Sequence, residues 1–272
     1  MNYFESPAYG EWCRRSYGMD MKQMGMVTKD ELALFYREVN LTPNAKILDI
    51  GCGPGYFTAA IAEHFHAAAI GIDIDAEVIR HAKETFCGEN APQFLIMDGN
   101  AVIYPDGSFD LICMFDTLYF TMATEKLRLL MDKCVRMLKP GGKIAVFWTN
   151  QKKDIDIFKM LGTTADQAQV GLWASDKGIL FRSFDLTENH RRFWIHAASE
   201  YEALSERLAA EIPSYTKKYP LSAPIFPNSV KRATTAGFSG GCFCLKKRPR
   251  ARAFRQYSVY SAVIRPRYFA LR

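Results

Sequence analysis

The segment Leu48-Asp49-Ile50-Gly51-Cys52-Gly53-Pro54-Gly55 sets an aspartate two residues ahead of three closely spaced glycines. Glycine lets a backbone approach a ligand without a Cβ clash. A helix that starts after such a loop offers unpaired N–H groups to negative charge. A dinucleotide loop reads Gly-x-Gly-x-x-Gly. Here the third glycine comes one residue early, and the acid of Asp49 would repel a pyrophosphate. The same acid suits a cationic amino group.

Such a loop works only if a strand delivers it and a helix follows it, and the sequence predicts both. Ala45 to Ile50 is an apolar run fit for a buried strand, and Tyr56 to Phe65 has helical patterning. The alternation continues. Ala68 to Asp73 reads as a second strand, Ala76 to Phe86 as a helix, Gln93 to Met97 as a third strand, and Ser108 to Phe115 as a fourth. Leu127, Leu130, Met131, Cys134, Val135 and Leu138 recur at helical spacing. Pro140-Gly141-Gly142 then stops the helix, and Lys143 to Thr149 is a fifth strand. Repeated strand–helix units predict a doubly wound α/β fold with a mainly parallel sheet covered on both faces. Before this core, residues 1–44 are rich in Met and aromatics, with a helix predicted over Thr28 to Val39 behind a Thr28/Glu31 capping box. After it, residues 151–227 read as helix, strand (Leu180 to Leu186) and a long helix over Thr187 to Glu211.

The loop resembles motif I of the class I S-adenosylmethionine-dependent methyltransferases, a Rossmann-like family. Met97-Asp98-Gly99, Pro105 to Asp110 and Leu138 to Gly142 resemble that family's later signposts in the same order, over about residues 40 to 150. The resemblance implies methyl transfer with S-adenosyl-L-methionine as cofactor. It implies that Asp49, Gly51, Gly53 and Gly55 hold the amino-acid end. Asp73, about 20 residues past the loop, would take the ribose hydroxyls. Asp98 and Gly99 would meet the adenine amino group. Ile74 packs either on the adenine face or into the core. Asp106 and Asp110 read as turn and strand-edge residues.

The acceptor is expected at the carboxyl edge of strands four and five. Strand four ends in Met114 to Phe120. It has no Asn/Asp-Pro-Pro-aromatic motif, the mark of enzymes that methylate exocyclic base amines. The chain has no Pro-Cys dipeptide for cytosine C5 chemistry, and this loop lacks the clustered acids of metal-dependent catechol enzymes. Asp116 is a candidate for contact with the cofactor or with a cationic amine, and equally for a structural cap. Tyr119, Phe120 and Trp148 are candidate pocket walls. Trp12 and Tyr17 are candidate lid residues over the site, since the first 44 residues resemble the helical lid of small-molecule members. Methyl transfer is an in-line displacement on an activated sulfonium, so no catalytic side chain is required. None of the five histidines forms a metal-ligand pair, and no metal site is expected.

Charge first points elsewhere. The net charge is +6, which favours polyanionic partners. Residues 228–272, however, hold eleven Lys or Arg and no acid, which leaves residues 1–227 with 24 bases against 29 acids, a net −5. The basic character belongs to the tail. Lys246 to Arg252 would suit RNA or an acidic membrane surface, and arginines interleaved with Phe254, Tyr257, Tyr260 and Tyr268 would suit single-stranded nucleic acid; a basic extension without a specific partner is the plainer reading. The closing strand seven of the family has two candidates there, Gly241 to Leu245 and Tyr257 to Ile264. Seven cysteines in irregular spacing, no apolar run of membrane length and no leader pattern predict a cytoplasmic protein with reduced thiols. The expected function is methyl transfer to N, O or C of a small molecule. An RNA methyltransferase acting through the tail, or a cofactor binder without catalysis, are the alternatives.

Overall fold

A computed structural model of the chain describes residues 1–25, 27–118, 124–150, 170, 173–174, 176–218 and 258–265. The strands are β1 (Lys46–Ile50), β2 (Ala68–Asp73), β3 (Gln93–Ile96), β4 (Phe109–Phe115), β5 (Leu138–Asn150), β6 (Leu180–Asp185) and β7 (Ser258–Arg265). They form one sheet in the order β3-β2-β1-β4-β5-β7-β6. Five strands, β3 to β5 in that order, pair in parallel, and β7 runs antiparallel between β5 and β6.

Side chains leave a strand on alternate faces, and both faces here are apolar. Leu48, Ile50, Ile112, Met114, Ile144 and Val146 pack on α5 (Thr124–Met137). Ile47, Leu111, Cys113, Ala145 and Phe147 pack on α2 (Lys29–Val39) and α3 (Tyr56–Phe65). Parallel strands covered on both sides must be near-continuously hydrophobic, and β4 is buried at six of its seven positions. The predicted doubly wound core is therefore the one observed. The structure also explains the quiet acids. Asp110 accepts from the Lys46 N–H (2.7 Å) and the Lys139 ammonium (2.6 Å), which ties three strands at their amino ends.

The N-terminal segment is more helical than its sequence pattern suggested. A 3-10 turn (Tyr3–Glu5) leads into α1 (Pro7–Tyr17), capped by the Ser6 hydroxyl, which accepts from the Tyr9 N–H. Proline at the first helical position loses no bond there. The capping box of Thr28 and Glu31 starts α2 as expected. Helices α6 (Thr187–Ala203) and α7 (Ser205–Glu211) replace the single long helix predicted, with Leu204 between them, and α8 (Pro213–Lys218) follows. Helix α1 packs on α6 and α7 to form a second core of Ala8, Tyr9, Trp12, Phe193, Ala197, Tyr201 and Leu208.

The acid-free end is not irregular throughout. Ser258–Arg265 is an inner strand of the sheet, with Ile144 to Asn150 on one side and Leu180 to Asp185 on the other. This matches the second of the two strand-seven candidates. Gly241 to Leu245 lies outside the described residues.

Candidate active site

In an open α/β sheet, ligands bind beyond the carboxyl ends of the strands where strand order reverses. That point lies here between β1 and β4, with Asp49 in register with Cys113. The loop after β1 and the loop after β4 therefore face each other. They touch at Thr117, whose Oγ1 lies 3.4 Å from the Gly51 carbonyl and 3.1 Å from the Phe115 carbonyl.

The glycine loop is bent by its backbone. Gly51, Gly53 and Gly55 have φ of 77°, 53° and 86°, a left-handed region that penalises any side chain. The Gly51 and Cys52 N–H groups both donate to the Ile72 carbonyl (2.8 and 3.0 Å), and the Gly53 N–H donates to Asp73 Oδ2 (2.9 Å). A Cβ on Gly51 would overlap Thr117, whereas one on Gly53 would meet open space. Gly51 is thus required by packing, and Gly53 lines a space.

Asp49 sits beneath this loop, 1% exposed. Its Oδ2 accepts from the Thr58 hydroxyl of α3 (2.6 Å), while Oδ1 is buried with no hydrogen-bond partner. Burial pushes its carboxyl up to about 7, against the opposing help of the Thr58 hydroxyl and the Cys113 thiol and with the charge of Asp73 adding to the rise. An unsatisfied buried carboxylate oxygen is expensive, and an incoming cationic N–H donor would relieve it. That is the fit a cofactor ammonium group requires.

Asp73 ends β2. Besides Gly53, it accepts from the Asp75 N–H at Oδ1 (3.0 Å). Each carboxylate oxygen has a second lone pair, so two hydroxyls can still be taken. Ile74, next in the chain, is 73% exposed, so it is not part of the core. Asp98 caps a 3-10 turn (Gly99–Ala101) by accepting from Asn100 N (2.8 Å) and Asn100 Nδ2 (3.1 Å), both at Oδ1. A Cβ on Gly99 would come 2.8 Å from Ile50, so this turn rests on β1.

Asp116, just past β4, is buried, with φ of 49° and its N–H donating to the Phe147 carbonyl (3.0 Å). It lies against the turn before α2, where a Cβ on Gly25 would fall 2.7 Å from Asp116 Oδ2. Phe115 stacks between Phe57 and Phe147 at centroid distances of 4.8 and 5.1 Å and fixes this corner. Tyr119 and Phe120 lie outside the described residues. Trp148 is placed by its backbone alone, in β5 opposite Tyr260 of β7. Trp12 and Tyr17 are under 5% exposed in the second core, and the Trp12 indole N–H donates to the Ala197 carbonyl (3.0 Å). Their rings hold α1 against α6. Sequence reasoning passed over Gln23 as a site residue and took Glu31 only as a cap, yet both are buried, Gln23 in the turn before α2 and Glu31 in the first turn of that helix. The sole local signal was a glutamate and a glutamine amid Met and aromatics.

Among the described residues, no group of His, Cys, Asp and Glu could hold a metal, and no helix is long and apolar enough to cross a membrane. Residues 47–142 match the methyltransferase domain family. That match covers about a third of the chain. Phosphoethanolamine N-methyltransferase 1 of Arabidopsis thaliana is 34% identical over 113 residues, 41% of this chain and 22% of that protein. The chain thus spans about a fifth of the length of the first curated relatives it matches, from 21% to 22%. Among solved structures, a phosphoethanolamine N-methyltransferase of Haemonchus contortus, in complex with phosphomonomethylethanolamine and S-adenosylhomocysteine, superposes with a TM-score of 0.70 at 15% identity, covering 95% of this chain and 57% of that one. A cyclopropane synthase of Mycobacterium tuberculosis gives 0.68 at 11%, covering 97% and 96%. At these identities the likeness is one of fold. It extends over the N-terminal helices and β7 as well as residues 47–142.

Proposed function

We propose that this protein transfers a methyl group from S-adenosylmethionine to a small-molecule acceptor. The observation that carries the reading is Asp49 Oδ1, buried and unpartnered under a left-handed glycine loop at the switch point of the sheet. The cofactor ammonium group answers that oxygen. Asp73 then takes the ribose hydroxyls, while Ile74 and Asp98 address the adenine, Ile74 through its exposed apolar face. Gly53 leaves room for the amino-acid end. Asp116 faces the acceptor side from the end of β4, below the turn that precedes α2.

When bound, the cofactor supplies a methyl group on a positively charged sulfur, and transfer makes one bond to the acceptor as the methyl–sulfur bond breaks. The protein's part is alignment and exclusion of water. The loops after β1 and β4 set the two reactants across the switch point, and the segment through α1 and α2 covers the acceptor side. The acidic body, net −5 without its last 45 residues, fits a small acceptor better than a nucleic acid.

Calorimetry with S-adenosylmethionine and S-adenosylhomocysteine tests this directly. Micromolar binding of both is expected. Failure of both to bind more tightly than the millimolar range would sink the reading.

A further inference from the structure

Two oxygens of the N-terminal segment are left over by the protein itself. Gln23 Oε1 and Glu31 Oε1 are buried without a hydrogen-bond partner, on side chains of residues 4% and 1% exposed. The rest of each group is committed. Gln23 Nε2 donates to the Val27 carbonyl (3.0 Å), which turns its oxygen the other way, and Glu31 Oε2 accepts from the Thr28 N–H (2.9 Å). Buried polar atoms are satisfied in the great majority of cases, so two of them eight residues apart call for a missing partner. When Glu31 is ionised, Oε1 needs a donor.

Each of the two groups has its own link to Asp116. Gln23 spans the turn whose middle residue, Gly25, abuts Asp116 Oδ2. Glu31 is close enough to Asp116 to feel its charge, which adds to burial in raising the Glu31 carboxyl to about 7; its bonds to Thr28 and the nearby Asn189 amide pull the other way. A nearby acid shows the contrast. Asp20 also has a buried orphan oxygen, but Arg14 (2.7 Å) and Lys22 (3.5 Å) neutralise it. No ion pair reaches Glu31 among the described residues. The site therefore presents acceptor oxygens and negative charge, in a buried place beside the end of β4.

We infer that Gln23 and Glu31, with Asp116 opposite them, bind the amino group of the methyl acceptor, an aliphatic amine that enters as its ammonium ion and passes one proton to the Glu31 carboxylate before its nitrogen takes the methyl group. An alkylammonium group brings two or three N–H donors and a positive charge in a volume no larger than a methyl group. An alcohol brings one donor and no charge. The inference rests on the methyltransferase reading for its placement of the acceptor at β4.

The test uses the full chain, titrated with ethylammonium chloride and with ethanol, in the presence and absence of S-adenosylhomocysteine, followed by ligand-observed NMR. Ethylammonium is expected to half-saturate at a concentration at least tenfold below ethanol. Glu31→Gln keeps an oxygen for the Thr28 N–H, and Gln23→Leu keeps the volume. Each should raise the ethylammonium half-saturation at least tenfold while changing S-adenosylhomocysteine affinity less than twofold. Equal binding of amine and alcohol, or full retention of amine binding in both variants, overturns the inference. S-adenosylhomocysteine binding without amine selectivity sinks this inference alone. Glutamate-dependent amine binding in a protein that ignores S-adenosylhomocysteine keeps the amine site and sinks the methyltransferase reading.

Discussion

At the scale of single residues, Asp49 and Glu31 tie the site to pH. Burial holds both carboxyls near 7, against ordinary values of 3.8 and 4.5. Between those limits the folded protein keeps protons that the unfolded chain has released. Stability from these groups is therefore greatest below pH 4 and falls as pH rises toward 7, by about 1.4 kcal/mol per pH unit for each group while it lasts. The ligand-free protein should melt at lower temperature at pH 7.5 than at pH 5.5. S-adenosylhomocysteine should raise the melting temperature more at the higher pH, because its ammonium group favours ionised Asp49. A melting temperature independent of pH would contradict the assignment. Asp49→Asn should weaken S-adenosylhomocysteine binding by about ten- to a hundredfold, the usual worth of a hydrogen bond to a charged group. The two central glycines separate packing from binding. Gly51→Ala meets Thr117 as well as a left-handed φ and should lower denaturant stability by more than 1–3 kcal/mol, the range expected of backbone strain. Gly53→Ala meets nothing in the protein; it should cost only about 1–2 kcal/mol of stability yet lose most of the cofactor affinity.

At the scale of elements, the N-terminal helices are fastened by a few polar links. Glu211, at the end of α7, accepts from the Ser6 hydroxyl (2.6 Å) and the Ala8 N–H (2.9 Å) at the start of α1. Those bonds, Ser6 first, hold its carboxyl below the usual range. Glu211→Ala should speed hydrogen exchange in residues 1–18 and leave β1 and β4 protected; unchanged exchange in α1 would show that the aromatic core alone holds it. The same elements show what a sequence can and cannot disclose. Helices α3, α4 (Ala76–Thr85) and α5 each bury a stripe on the sheet, so their periodicity is local and was legible. Helix α1 buries Ala8, Tyr9, Trp12, Cys13 and Tyr17 against α6, some 180 residues away, and its glycine and aromatics blur the pattern. Ser6-Pro7 was the start signal that could have revealed it. Glu31 was legible as a cap because Thr28 is three residues off, whereas its burial beside Asp116 depends on a strand far along the chain.

At the scale of the whole molecule, the charge asymmetry and the sheet pull in different directions, and the sheet decides how the chain's end can be tested. Cutting after residue 227 would remove the eleven basic residues, but it would also remove β7. Among the described residues that strand is the sole sheet partner of β6, and it pairs with Ile144 to Asn150 of β5. Its loss exposes the hydrogen-bonding edge of a buried strand, a recognised route to aggregation. Truncation should therefore abolish cooperative unfolding or lower the melting temperature by more than 10 °C, on the order of 3–5 kcal/mol for a chain of this size. The cut cannot serve as a measure of RNA affinity. The densest charges, Lys246, Lys247, Arg248, Arg250 and Arg252, come before the strand in sequence. Converting those five to Gln in the full chain removes five positive charges without deleting any sheet strand. If the acceptor is a small amine, S-adenosylhomocysteine affinity and amine binding should change less than twofold, and any RNA binding should lose its steep salt dependence. A fall of tenfold or more in methyl transfer to small amines after that change would tie the basic segment to the reaction after all.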